Sequence, residues 1–130
     1  MKIVLDTSII IALLASDEER EPILEHIAGA DWVCSESVTP EIGNAISAMF
    51  KRGRITLDQG LAMIDGFFQL EMTTMSYRLT RAIELSHTYD LYAYDAYVLE
   101  CAERLNVCLI TLDSRMQEVA QQLGISVIEV

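Results

Sequence analysis

Basic residues are scarce in this chain. Nine Lys and Arg stand against twenty Asp and Glu in 130 residues, for a formal net charge of −11. Such an acidic balance speaks against a general nucleic-acid-binding surface and favours metal cations or a basic partner. There are only two histidines, His26 and His87, so a zinc site has little support. The three cysteines, Cys34, Cys101 and Cys108, are odd in number, form no C-x-x-C pair and lie in apolar runs. They read as buried reduced thiols rather than a disulfide framework. The six glycines are scattered and build neither a Walker loop nor a dinucleotide fingerprint. No serine or cysteine has a G-x-S-x-G context, and neither histidine sits in a motif, which removes the usual nucleophile systems. No apolar run approaches the ~18 residues that a membrane helix needs. Lys2 and the stretch ending Leu14-Ala15-Ser16 faintly echo a signal peptide, but Asp6-Thr7-Ser8 interrupts the apolar part too early. The sequence reads as a cytoplasmic protein with no membrane segment.

What is abundant is apolar: 52% of the residues are hydrophobic, enough for a real core. The length suits one compact domain over residues 1–130. Residues 2–5 form a short β-rich run, and the Asp6-Thr7-Ser8 turn leads into a short apolar helix over 9–14. Residues 17–21 read as a charged loop or helix start, with Pro22 in a first helical turn and Gly29 as the stop. A strand is predicted over 32–34. Residues 35–54 hold the clearest helix entry, with Thr39 as cap, Pro40 at the first helical position and Gly53 as terminator. An amphipathic helix over 56–69 is expected to turn Leu57, Leu61, Ile64, Phe67 and Phe68 inward. A weaker strand over 70–75 and a helix over 77–87 follow. A helix over 91–104, a strand over 107–112, a helix over 114–123 ended by Gly124, and a strand over 126–130 complete the chain. Strands alternating with helices predict an α/β fold of three layers, with a central parallel sheet of about five strands and helices on both faces.

Three acids stand out against this apolar background. Asp6 and Asp113 each end an apolar strand, and ligands of open α/β sheets bind beyond the carboxyl ends of the strands. Asp95 lies among Ala96, Val98, Leu99 and Ala102, where a carboxylate is costly to bury unless a cation or hydrogen bond meets it. Glu41, in a first helical turn, shares a face with Asn44. Convergence of these four acids would give an oxygen-only site suited to Mg²⁺ or Mn²⁺. Taken singly, most have a structural reading too. Asp6 and the Asp113-Ser114 pair can cap helices, and Glu41 complements a helix dipole. Tyr89, Tyr92, Tyr94 and Tyr97 fit core and interface packing better than base stacking.

Leu5-Asp6-Thr7-Ser8, Pro40-Glu41-Ile42-Gly43-Asn44-Ala45, Tyr94-Asp95-Ala96 and Thr111-Leu112-Asp113 resemble, in order and spacing, the motifs of PIN-domain ribonucleases. The likeness is strongest to the VapC-type toxins of type II toxin–antitoxin modules and spans residues 3–128. The resemblance implies a Mg²⁺- or Mn²⁺-dependent endoribonuclease with Asp6 and Asp95 as metal ligands. Glu41 and Asp113 complete its acidic quartet, and Thr7, Asn44, Thr111 and Ser114 support the site. It further implies an RNA substrate, a homodimer, and a VapB-type antitoxin that directs an arginine at the acids. Arg115, two residues beyond Asp113, is a candidate for guiding the RNA backbone, beside Lys51, Arg52 and Arg54. Two other functions are compatible with the residues. One is a PIN nuclease of RNA processing without an antitoxin, and the other is a silent acidic pocket that binds a basic partner.

Overall fold

The computed structural model describes residues 1–15 and 18–130. Ser16 and Asp17, at the ends of the leader-like stretch and of the charged segment 17–21, lie outside the described residues. Strand β1 (Lys2–Leu5) occupies the centre of a five-stranded parallel sheet ordered β3-β2-β1-β4-β5. Its neighbours are β2 (Asp31–Ser35) and β4 (Cys108–Ile110), with β3 (Met72–Met75) and β5 (Val127–Ile128) at the edges. Val4 lies opposite Val33 on one side and Leu109 on the other.

Seven helices connect the strands: α1 (Thr7–Leu14), α2 (Arg20–Ile27), α3 (Val38–Lys51), α4 (Leu57–Gln69), α5 (Leu79–Tyr89), α6 (Ala93–Leu105) and α7 (Ser114–Gln122). Ile3, Val4 and Leu5 are all fully buried, because a central parallel strand is covered on both faces. The alternation of side chains sends Ile3 and Leu5 into one core with α1, α2, α3 and α4. Val4 enters a second core with α5, α6 and α7. The expected three-layer α/β architecture is therefore present. None of the helices among the described residues is long and apolar enough to cross a membrane.

Several local expectations are corrected. Helix α3 begins at Val38 after Ser37, so Thr39 is inside the helix rather than its cap. Pro40 is its third residue, where a missing N–H still leaves no intrahelical bond unmade. On α4 the buried positions are Gly60 and Met63, with Ile64 and Phe67 packed beside them. Leu57, Leu61 and Phe68 are 63%, 53% and 73% exposed, contrary to the inward face predicted for them. The helix is apolar on two sides, and the side able to approach closely is the one carrying Gly60. A Cβ there would come within 2.8 Å of the Phe50 ring. The three cysteines are free, with Cys34 and Cys101 buried. Burial pushes the Cys101 thiol up to about 11, and the neighbouring Glu100 adds to the rise.

Glu100 is the acid that the sequence pattern hides in the core. It is 1% exposed. It accepts hydrogen bonds from the Arg78 backbone N–H at 2.7 Å and from Arg104 Nε at 2.9 Å. Arg104 also donates to the Ser76 carbonyl. This network fastens the loop between β3 and α5 to α6, the helix that carries Asp95.

Candidate active site

Asp6 follows the last residue of β1 and stands at the N-cap of α1, yet its side chain makes no capping bond. Its backbone N–H donates to the Ile110 carbonyl at 3.1 Å, extending the β1–β4 pairing by one residue. The carboxylate turns toward the end of β4, where Oδ2 accepts from Thr111 Oγ1 at 2.7 Å and Ser8 Oγ at 2.8 Å. The Thr111 hydroxyl in turn accepts from the Asp113 N–H at 3.0 Å, and Ser8 accepts from the Leu112 N–H at 3.0 Å. Two hydroxyls thus pin a buried carboxylate, itself 4% exposed, to the turn that follows β4.

Asp113, in that turn, uses Oδ1 to cap α7 by accepting from the N–H groups of Arg115 and Met116 at 2.9 and 3.2 Å. Glu41 projects from the first turn of α3 and accepts from the Thr7 hydroxyl at 2.7 Å. Asp95 comes from the first turn of α6. All four acids line one cleft of about 400 Å³, together with Thr7, Ser8, Ala45 and Glu19. Among the described lining residues there is no Lys, Arg or His.

The electrostatics follow from that composition. Burial pushes Glu41 up to about 7; the charges of Asp6 and Asp95 push the same way, and the Thr7 hydrogen bond opposes them. Burial likewise lifts Asp95 to about 6, with the charges of Asp6 and Asp113 adding and no hydrogen bond opposing. A cluster of this kind is short of positive charge, and a cation relieves it. Its donors are all oxygens, which suits a hard divalent ion and not a thiophilic one. Among the described residues no three acids, histidines or cysteines already stand close enough to enclose a metal. An all-oxygen donor set suits an ion held by one or two carboxylates that keeps several of its waters, which is the habit of Mg²⁺.

The remaining sequence candidates fall in different places. Thr7 and Thr111 are buried and bonded to Glu41 and Asp6. Asn44 is exposed on α3, and its neighbour Ala45 lines the cleft. Ser114 is the exposed first residue of α7 and does not line the cleft. The Arg115 guanidinium donates to the Tyr89 carbonyl at 2.8 Å and pairs with Glu118 at 3.3 Å. Two polar lining residues, Ser8 and Glu19, were assigned no site role from the sequence, although Ser8 stands in the Leu5-Asp6-Thr7-Ser8 motif. For Ser8 a signal existed, because a hydroxyl two residues beyond an Asp can reach back to it. Glu19 lies in a charged segment with no pattern to single it out.

A family model described as the PIN domain matches residues 3–122. No curated protein matches by sequence. Among solved structures, the fold resembles PAE2754 from Pyrobaculum aerophilum, with a TM-score of 0.75 and 18% identity over 98% of this chain and 83% of that one. It also resembles VapBC2 from Rickettsia felis, bound to a DNA fragment from its promoter, with a TM-score of 0.70 and 16% identity over 98% of both chains. A third is VapC20 of Mycobacterium tuberculosis, a sarcin–ricin loop cleaving toxin, with a TM-score of 0.64 and 13% identity over 89% of this chain and 93% of that one. With a family model covering nearly its whole length and a fold shared with these structures, the chain belongs to the PIN domain family.

Proposed function

We propose that this protein is a divalent-metal-dependent endoribonuclease and the toxin of a VapBC-type pair. The observation that carries the reading is the cleft itself: the carboxylates of Asp6, Glu41, Asp95 and Asp113 brought together from distant parts of the chain beside Glu19, no basic side chain among the described lining residues, and two of the acids lifted toward neutrality. Asp6 and Asp95 would hold Mg²⁺ or Mn²⁺. Such an ion supplies a lowered pKa for a bound water and neutralises charge on a phosphate. Glu41, held by the Thr7 hydroxyl, is suited to accept a proton from an attacking water and release it later. Asp113 keeps one oxygen beyond its capping bonds and would orient water at the opposite lip. Ser8 and Thr111 fix the direction of the Asp6 carboxylate.

RNA must then approach an acidic protein. The exposed Lys51, Arg52 and Arg54 end α3 at roughly 15 Å along the helix from Glu41. Arg115 would reach a phosphate by leaving the Tyr89 carbonyl. An antitoxin finds two features to use. The cleft calls for an arginine or lysine, since a charge-assisted pair would offset the negative charge gathered there. The exposed stripe of Leu57, Leu61 and Phe68 on α4 offers an apolar helix face a place to rest. Pairing of two copies into a homodimer is part of the same reading.

The test is cleavage of a labelled structured-RNA pool by pure, partner-free protein with Mg²⁺, with Mn²⁺ and with chelator, beside Asp95→Asn prepared identically. Metal-dependent cutting that disappears in the variant supports the reading. Equal cutting by both proteins refutes the site.

A further inference from the structure

A second cavity, of about 600 Å³, opens on the same end of the sheet, beyond β2 and β3. Pro40 and Tyr94 line it, and the next residue in each case, Glu41 and Asp95, lines the acid cleft. Consecutive Cα atoms lie ~3.8 Å apart, so the first turns of α3 and α6 form a wall common to both spaces. Neither helix N-terminus has a side-chain cap, which leaves backbone N–H groups and a favourable dipole on this rim for a phosphate chain crossing it.

The cavity is aromatic. Tyr77 and Tyr97 stack on each other with centroids 4.0 Å apart and 18° between planes. Tyr94 meets Tyr97 edge-on at 6.1 Å, and is 38% exposed. The stacked pair is half-buried, whereas Tyr94 is exposed. At the mouth stands Glu36, exposed, its backbone fixed by a 2.8 Å bond from its N–H to the Met75 carbonyl. Open aromatic faces receive unstacked bases of single-stranded RNA. An ionised carboxylate only accepts hydrogen bonds. It therefore selects a base edge with two neighbouring donors, and guanine alone offers that, through N1–H and the 2-amino group.

Resting on the nuclease reading above, we propose that this cavity is the base-recognition subsite of the enzyme, taking a guanine of single-stranded RNA stacked on Tyr94 and held by Glu36. Its wall is formed by the first turns of α3 and α6, which also carry Glu41 and Asp95, so the selected guanine flanks the cut.

Two measurements test this. The first maps cleavage ends in a randomised single-stranded RNA for the wild type, Tyr94→Phe, Tyr94→Ala and Glu36→Gln in Mn²⁺. Guanine should be enriched at one position near the cut, and Glu36→Gln should remove the enrichment. Tyr94→Ala should raise KM about tenfold with kcat within about twofold, and Tyr94→Phe should behave as wild type. The second follows tyrosine ring resonances by NMR in chelator during titration with guanosine or cytidine. Shifts on Tyr94 with guanosine and not cytidine support the subsite even if no RNA is cut, an outcome that would sink the nuclease reading by itself. Cleavage with no base preference, or preference unchanged in both variants, overturns the subsite and leaves the nuclease standing. So does the absence of guanosine shifts. If Tyr94→Ala turns a sedimenting dimer into a monomer while preference persists, the cavity is an interface between copies and the proposal fails.

Discussion

Replacing Asp95 by Asn should make the metal-free protein more stable while removing its response to metal. The carboxyl is lifted from its ordinary value of 3.8 to about 6, by burial first and then by Asp6 and Asp113. At 1.36 kcal/mol for each pH unit, the penalty of ionising Asp95 in the folded state has a ceiling of about 3 kcal/mol. The side chain is only half-buried, and solvent screening reduces the figure to about 1–2 kcal/mol. For a domain of this length that corresponds to roughly 3–8 °C in Tm. The pH dependence fixes the sign. Below about pH 3 the group is protonated in both folded and unfolded chains and carries no penalty. As pH rises through 3.8 and then through about 6, the unfolded chain releases a proton that the folded one retains, so folded stability falls until both are ionised. Glu41, raised to about 7, extends the fall to higher pH. The Tm of Asp95→Asn minus that of wild type should therefore be small at pH 4, grow as pH rises and be largest above pH 7. The assay is differential scanning calorimetry from pH 4 to 8 in chelator, repeated with Mg²⁺ and with Mn²⁺. A difference independent of pH would refute the electrostatic account. Retention of the full metal-induced rise in the variant would refute Asp95 as a ligand.

Thr111→Val removes a hydrogen bond to the buried Asp6 carboxylate and leaves the Asp113 N–H without its acceptor. It should cost roughly 1.5–3 kcal/mol in urea unfolding, and Thr111→Ser should recover most of that. Arg104→Ala leaves the buried Glu100 with only the Arg78 N–H and should cost roughly 2–4 kcal/mol, read from the same unfolding curves; an unchanged midpoint would refute the pairing with Arg104 as what compensates the burial of Glu100. Arg115→Ala should weaken RNA binding and flatten its dependence on salt, measured by anisotropy in chelator. An unchanged slope would mean that the residue serves only to hold the Tyr89 carbonyl.

The alternation of strands and helices was legible because the central strands β1 and β4 lie in apolar runs ended by a polar residue, a pattern that the parallel interior imposes, whereas the edge strand β3, Met-Thr-Thr-Met, gives only a weak signal. Asp6, Asp95 and Asp113 were visible for the same reason, as charges where the pattern calls for none. What periodicity could not decide is which face of an all-round apolar helix packs. On α4, Gly60 carries no hydrophobic signal yet marks the close-packed side. On α5 the buried residues are Ala82 and Leu85, while Leu79 and Ile83 are 56% and 50% exposed. Glu100 pairs with Arg104 at a spacing that also suits an exposed helix face, and the contact that marks it as buried, the Arg78 N–H, comes from 22 residues away in sequence. Arg115 looked available because its acceptor, the Tyr89 carbonyl, comes from a segment that meets α7 only in the fold.

The strand order has a consequence for where chemistry can occur. From β1 the chain builds outward through β2 and β3, and only later returns to fill the other flank with β4 and β5. Helix α1, leaving β1, therefore packs on one face of the sheet, and α7, leaving β4, packs on the other. Between those two exits the connections diverge, and a crevice opens that no other neighbouring strand pair need provide. Asp6 and Asp113 are its two banks. The opening is a property of the winding rather than of any side chain, so acids at these two positions are brought together by topology before a single contact between them is optimised.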